Sequence, residues 1–96
     1  MLPQIQFTGH GVEVTQLLRD FINDKFTRLT KHSQQIISIH VILNVEKLRQ
    51  IAEAKLHIPH NEIHAQAESE DMYKTIDLLV DKIVRQLEKH RGKIER

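Results

Sequence analysis

Cysteine and tryptophan are absent from this 96-residue sequence, and glycine, proline and aromatic residues are few. The absence of cysteine excludes disulfides, thiolate zinc sites and thiol nucleophiles, and it is compatible with a reducing compartment. We therefore expect a cytoplasmic protein. Because the aromatic residues are so few, the core has to be built mainly from Ile, Leu, Val and Ala, which suits a sheet covered by helices.

Long apolar runs are absent as well. No run approaches the roughly 20 residues that a membrane-spanning helix needs, and the amino terminus lacks the basic and apolar regions of a signal peptide. An apolar share of 40% is enough for one modest core, so we expect a single soluble domain over residues 1–96 with no membrane partner. The net charge of +1 is too small to indicate a nucleic-acid partner, so the distribution of charge has to decide that question.

The amino-terminal part of the sequence predicts a strand followed by a helix. Residues 5–8 alternate between apolar and polar, and the glycines within residues 9–11 indicate a turn. Thr15 is the expected N-cap of a helix that ends near residues 30–32. The apolar face predicted for this helix consists of Leu17, Leu18, Phe21, Ile22, Phe26 and Leu29.

The middle of the sequence predicts three consecutive strands. Residues 36–45 alternate with period two, and so do residues 52–58 and 63–68. Residues 59–62 have the composition of a turn, which makes the last two strands a hairpin. The three strands therefore form an antiparallel meander.

A long helix closes the predicted order. It begins around residues 69–71, and its apolar periodicity continues to about Ile94. Small residues on the strands would let both helices pack closely on one face of the sheet. The sequence thus predicts an α+β domain of the order β-α-β-β-β-α.

Basic residues succeed one another at steps of three or four along the last helix, so they form one exposed row. A linear row of cations suits RNA phosphates, which are bound with the release of counterions. The same spacing is typical of an ordinary solvated helix face, and periodicity alone favours that interpretation. Lys25 and Arg28 on the first helix would extend the row if the two helices lie side by side. The predicted RNA-binding residues of the last helix are Lys82, Arg85, Lys89 and Lys93.

The sequence offers no constellation for catalysis. Its glutamates are scattered over loops and exposed strand positions, and its serines lack the context of a nucleophile. We therefore expect no enzyme activity, no cofactor and no small-molecule substrate. The outer face of the sheet lacks the aromatic residues on which RNA bases stack, which leaves the helices as the RNA-binding face. The outer positions are expected to hold Ser38, His40, Lys55, His57, His64 and Gln66.

Three histidines near the predicted hairpin raise the alternative of a metal-dependent regulator. His57, His60 and His64 fall within eight residues, and a hairpin could bring His57 opposite His64. The segment lacks cysteine and the helical HExxH arrangement, and exposed hairpin histidines are commoner than metal sites. We therefore predict no metal site here.

Several ordered motifs resemble the ribosome hibernation-promoting factor family. The sequence begins with Ile5-Gln6-Phe7-Thr8-Gly9 and continues with Phe26 in the first helix. The resemblance extends from about Gln4 to Arg91. Its further motifs are Val45-Glu46-Lys47, Glu62-Ile63-His64-Ala65, Asp71-Met72-Tyr73, Ile76-Asp77, Asp81-Lys82, Arg85-Gln86-Leu87 and Lys89-His90.

This resemblance implies a four-stranded sheet with two parallel helices on one face, similar to a double-stranded-RNA-binding domain. It also implies that the helices contact small-subunit ribosomal RNA in the channel of messenger and transfer RNA, which inhibits translation during starvation. Carried over by position, the contact residues are those already named on the two helices, with Lys93 added by helical geometry.

The length of the sequence resembles the short form of the family, without a carboxyl-terminal dimerisation domain. By resemblance, a short form acts with the small ribosome modulation factor to pair inactive ribosomes. The alternative function is a general double-stranded-RNA-binding module that acts on non-ribosomal RNA.

Overall fold

The computed structural model describes residues 3–31 and 36–94, and of residues 30, 31 and 90–94 it describes the backbone alone. The predicted order β-α-β-β-β-α is confirmed. A 3₁₀ turn over Thr27–Lys31 extends the first helix. The strands and helices are β1 (Ile5–His10), α1 (Gln16–Phe26), β2 (Ser38–Glu46), β3 (Arg49–Ile58), β4 (Asn61–Ser69) and α2 (Met72–Ile94).

The four strands form one mixed sheet in the order β1-β2-β3-β4. β1 runs parallel to β2, with Ile5 opposite Ile39, whereas the pairs β2–β3 and β3–β4 are antiparallel. Since β4 has β3 as its one neighbour in the sheet order, no described strand pairs with its other side, which is the free edge of β4. In the described part of the chain, no helix is both long and apolar enough to cross a membrane.

Tight connections make the strands longer than the sequence predicted. β1 continues to His10, so the turn begins at Gly11, whose positive φ of 70° is favourable for glycine. The β3–β4 hairpin turns over Pro59 and His60, because Ile58 already pairs with Asn61. A proline followed by a residue at a φ of 68° is the pattern of a type II turn.

This register contradicts the predicted pairing of the hairpin histidines. His57 lies opposite Glu62, and His64 lies opposite Lys55. A turn of two residues sets this pairing, and it places the two histidines diagonally on the outer face of the sheet. The pairing of His57 with His64 that a hairpin could have produced is therefore not formed.

The core lies between the helices and one face of the sheet. Alternate residues of β2, β3 and β4 are buried there, and Ile22 and Phe26 of α1 and Ile76 and Leu79 of α2 meet them fully buried. The prediction for Leu17 was wrong, because this side chain is 70% exposed and Leu18 takes the inward position.

The amino termini of both helices are fixed by side-chain caps. Thr15 accepts a hydrogen bond from the Leu18 N–H at 3.2 Å, which confirms it as the N-cap of α1. Asp71 accepts one from the Tyr73 N–H at 2.9 Å at the start of α2. Thr75 is the buried polar residue of the described chain, and its hydroxyl lies 3.0 Å from the Gln50 carbonyl and 2.6 Å from the Ser69 hydroxyl. These contacts fix α2 against β3 and β4.

The two helices lie side by side and run in the same direction. Three contacts between them advance together along both helices, which requires parallel axes. The contacting pairs are Phe21 with Tyr73 (ring centroids 4.8 Å apart), Lys25 with Asp77 (3.4 Å) and Arg28 with Asp81 (3.1 Å).

Candidate nucleic-acid interface

The predicted basic row lies on an exposed flank of α2. Lys82, Arg85 and Lys89 are all exposed, and their spacing places them on one side of the helix. Lys93 lies within the backbone of α2, but its side chain is outside the described residues. Lys74, which was not among the predicted residues, is exposed two turns before Lys82 and continues the row towards the helix start.

Two side chains of α2 attach this flank to the free edge of β4. The Lys82 ammonium donates a hydrogen bond to the Gln66 carbonyl at 2.6 Å. One turn later, the Gln86 amide donates to the His64 carbonyl at 2.8 Å. Both acceptors belong to the strand edge, so the basic row lies beside β4 and not above the centre of the sheet.

A shallow cleft of about 410 Å³ follows this seam between α2 and β4. The sequence did not predict it, because it depends on how α2 lies across the sheet. Three cations of the row, Lys82, Arg85 and Lys89, line its helix wall. The lining residues are His64, Ala65, Gln66, Lys82, Arg85, Gln86 and Lys89.

A second cleft of about 350 Å³ lies further along the same seam, where Lys82 faces Glu68. The Glu68 carboxylate accepts two hydrogen bonds from the Arg49 guanidinium, at 2.7 and 2.9 Å. These hydrogen bonds hold the pKa of Glu68 below its usual range, and they raise the pKa of Arg49. Glu68 is therefore anionic at neutral pH, which makes this part of the seam less favourable for phosphate than the first cleft.

The α1 cations lie on the opposite flank of α2. Lys25 and Arg28 are close to α2, as predicted, but each faces a carboxylate there, Asp77 in one case and Asp81 in the other. The two aspartates are one helical turn apart and form an acidic row between the α1 cations and the α2 cations. This acidic row was not predicted, although Asp77 and Asp81 are spaced four residues apart in the sequence.

The outer face of the sheet is mainly polar, as predicted, but it also carries Ile42 and Ile51. Its described strand positions carry no Phe or Tyr, because Phe7 packs against the core and Phe21 and Tyr73 contact each other between the helices. His40 lies within hydrogen-bonding distance of the Thr8 hydroxyl, at 2.8 Å. The described strand positions of this face therefore offer mostly polar groups and no aromatic ring on which an RNA base could stack.

Two of the three hairpin histidines, His57 and His64, pair with carboxylates. His57 lies 3.6 Å from Glu62, and His64 is hydrogen-bonded to Glu53. Among the side chains that the structure describes, those of residues 3–29 and 36–89, no three of His, Cys, Asp or Glu come together as a set of metal ligands. His57 and His64 are thus partners of glutamates on the outer face.

Comparison with known proteins places the chain in a family. Residues 5–95 match the family described as Sigma 54 modulation protein / S30EA ribosomal protein. A ribosome hibernation promoting factor of Klebsiella oxytoca is 48% identical over 92 residues, which are 96% of this chain and 97% of that protein. One of Azotobacter vinelandii is 51% identical over 94 residues, which are 97% of this chain and 88% of that protein.

Solved structures have the same fold. A ribosomal subunit interface protein from Coxiella burnetii matches with a TM-score of 0.83 at 41% identity, over 92% of this chain and 97% of that one. The Protein Y N-terminal domain of Thermus thermophilus matches with a TM-score of 0.81 at 26% identity, over 88% of this chain and 94% of that one. With these matches in both sequence and structure, the chain belongs to the Sigma 54 modulation protein / S30EA ribosomal protein family.

Proposed function

We propose that this protein is a ribosome hibernation factor of the cytoplasm. It binds small-subunit ribosomal RNA in the channel of messenger and transfer RNA, inhibits translation and promotes inactive ribosome dimers in stationary phase. The names of its relatives support ribosome hibernation. The structural observation that carries the proposal is the row of Lys82, Arg85 and Lys89 along one cleft.

The proposed mechanism is steric and electrostatic. The cations of α2 neutralise RNA phosphates and release their counterions, so binding energy comes from charge and falls steeply as salt is raised. The bound domain then occupies space that messenger and transfer RNA need. No covalent bond is made or broken, and neither a cofactor nor a small-molecule substrate takes part. Ribosome modulation factor is the proposed second partner in ribosome pairing.

The two helices contribute unequally in this proposal. Lys82, Arg85 and Lys89 form the principal contact, and Lys93 continues it by helical spacing. Lys25 and Arg28 are secondary contacts, because a phosphate has to compete with Asp77 and Asp81 for them.

Charge reversal on α2 tests the proposal. Arg85→Glu/Lys89→Glu changes two cations of the row and leaves the contact of Lys82 with Gln66 in place. We expect this variant to lose co-sedimentation with purified small ribosomal subunits. The matched control is Lys47→Glu/Lys55→Glu, which changes the net charge equally at exposed positions of a turn and of the outer sheet face. Equal binding by both variants would refute the α2 interface.

A competition experiment separates the ribosome from other RNA. Excess RNA duplex is added to the complex of this protein with small subunits, and the protein that remains bound is measured after sedimentation. We expect the protein to stay with the subunits. Its transfer to the duplex would favour the alternative of a general double-stranded-RNA-binding module.

A further inference from the structure

The edge of β4 presents both main-chain donors and main-chain acceptors to the cleft. In an antiparallel strand, the N–H and C=O groups of one residue point to the same side. The carbonyls of His64 and Gln66 point to α2, where Gln86 and Lys82 bind them. The N–H groups of His64 and Gln66 therefore point to α2 as well, along the wall of the cleft.

The contacts of α2 change the electrostatic character of this edge. Lys82 and Gln86 occupy the two carbonyl acceptors, and Lys82 adds a positive charge beside the Gln66 peptide group. What the edge then offers to a ligand is hydrogen-bond donors. Arg85 and Lys89 supply two more cations on the opposite wall. An anion with several acceptor oxygens fits this arrangement, because backbone N–H groups and cations bind phosphate together.

We propose that the cleft between α2 and β4 holds one backbone phosphate of the bound RNA. Arg85 and Lys89 neutralise the phosphate, and the main-chain N–H groups of His64 and Gln66 donate hydrogen bonds to its oxygens. Lys82, held by the Gln66 carbonyl, places a third cation beside it. This inference rests on the proposed function and extends the RNA contact from the helix to the strand edge.

A pair of variants at Gln66 separates the main-chain donor from the side chain. Gln66→Ala removes the side chain and keeps the N–H group, whereas Gln66→Pro removes both. An edge strand tolerates proline where the N–H faces away from the sheet, so Gln66→Pro leaves the pairing with β3 in place. We expect Gln66→Ala to bind small subunits within about twofold of the unsubstituted protein and Gln66→Pro to bind about tenfold more weakly, which is the effect of one hydrogen bond to a charged group.

The outcomes are distinguishable from those of the helix test. Equal affinity of Gln66→Pro and Gln66→Ala overturns the phosphate site, and if Arg85→Glu/Lys89→Glu still abolishes binding, the proposed function stands. If Gln66→Pro, Gln66→Ala and Arg85→Glu/Lys89→Glu all bind like the unsubstituted protein, both the phosphate site and the proposed function fail. Circular dichroism establishes that each variant is folded.

If Gln66→Pro does not fold, a titration of the unsubstituted protein tests whether the cleft between α2 and β4 binds phosphate. Inorganic phosphate is added at constant ionic strength, with chloride as the reference, and backbone amide resonances are recorded by NMR. We expect saturable shifts of the His64 and Gln66 amides that disappear in Arg85→Glu/Lys89→Glu. Amide resonances of β4 that stay unchanged up to millimolar phosphate would overturn the site.

Discussion

Arg28 of α1 donates a hydrogen bond to Asp81 of α2, with 3.1 Å between Nη2 and Oδ1. One turn earlier, Lys25 lies 3.4 Å from Asp77. The Arg28–Asp81 pair is exposed and the Lys25–Asp77 pair is partly exposed, so each contributes little to the stability of the fold. Their larger effect is on RNA binding, because each aspartate competes with a phosphate for the cation beside it.

Removal of the acidic row should strengthen ribosome binding. Asp77→Asn/Asp81→Asn raises the net charge by two and frees Lys25 and Arg28 for phosphate. We expect the affinity for small subunits to rise by roughly threefold or more at low salt and to lose this gain at high salt. Sedimentation titrations at two salt concentrations measure both effects.

The control for this experiment is Asp20→Asn/Asp24→Asn, which removes the same charge from exposed positions of α1. An equal gain from both pairs would mean that only net charge matters. No gain from Asp77→Asn/Asp81→Asn would exclude Lys25 and Arg28 as phosphate contacts.

The hydrogen bond from Gln86 to the His64 carbonyl should stabilise the attachment of α2 to β4. In Gln86→Ala the edge carbonyl loses its protein donor, and we expect the free energy of unfolding to fall by about 1 kcal/mol. Urea unfolding measures this change. The control is Gln16→Ala, since the Gln16 amide donates a hydrogen bond to Asp20 on an exposed helix surface. This substitution should lower the free energy of unfolding by less than about 0.5 kcal/mol. If both substitutions lower the free energy of unfolding equally, the contact of Gln86 with β4 stabilises the fold no more than an exposed hydrogen bond does.

Sequence periodicity predicted the fold well where one side of an element is buried. The inward positions of β2 were visible as alternation, and Thr15 was recognisable as a cap because its role depends on neighbours in sequence. Leu17 was wrongly assigned to the buried face of α1, because that face contains Leu18 and Ile22 and leaves Leu17 exposed. Strand ends were misjudged where two residues suffice for a turn, since composition does not set the register.

The candidate site was predictable only in part, for a related reason. The row of Lys82, Arg85 and Lys89 follows from spacing within one helix. Its position beside β4 follows from tertiary packing, and so does the pairing of Arg28 with Asp81. Contacts between elements far apart in sequence leave no periodic pattern, which is why the cleft was not predicted.

The paired side chains of Arg49 and Glu68 predict a pH dependence of stability. The folded-state pKa of Glu68 is lowered, chiefly by its hydrogen bond with Arg49. A lowered pKa means that Glu68 contributes stability above its unfolded pKa and loses it as the pH falls through the folded value. Glu68→Gln should therefore be less stable than the unsubstituted protein at neutral pH, and the difference should vanish in acid.

Urea unfolding at a series of pH values measures this difference. Arg49→Gln should remove this stability difference, because Glu68 then has no guanidinium partner. Glu68→Gln in the Arg49→Gln background should therefore leave the free energy of unfolding unchanged. A difference that grows as the pH is lowered would have the wrong sign for this ion pair.

The hydroxyl of Thr75 should stabilise the packing of α2 against the sheet. This residue is fully buried, and its hydroxyl lies 2.9 Å from the Asp71 carbonyl besides contacting Gln50 and Ser69. Thr75→Val keeps the volume but removes the buried hydroxyl and leaves its part-buried partners at Gln50 and Ser69 without it, so we expect the free energy of unfolding to fall by about 1–3 kcal/mol. Thr75→Ser keeps the hydroxyl and loses one methyl group.

Urea unfolding of the two Thr75 variants separates hydrogen bonding from packing. If the hydroxyl dominates, Thr75→Ser is the more stable of the two, because the cost of one buried methyl group is about 1 kcal/mol. The reverse order would mean that packing of the methyl group holds α2 in place. Because the basic row depends on where α2 lies, Thr75→Val should also weaken binding to small subunits under conditions where Thr75→Ser does not.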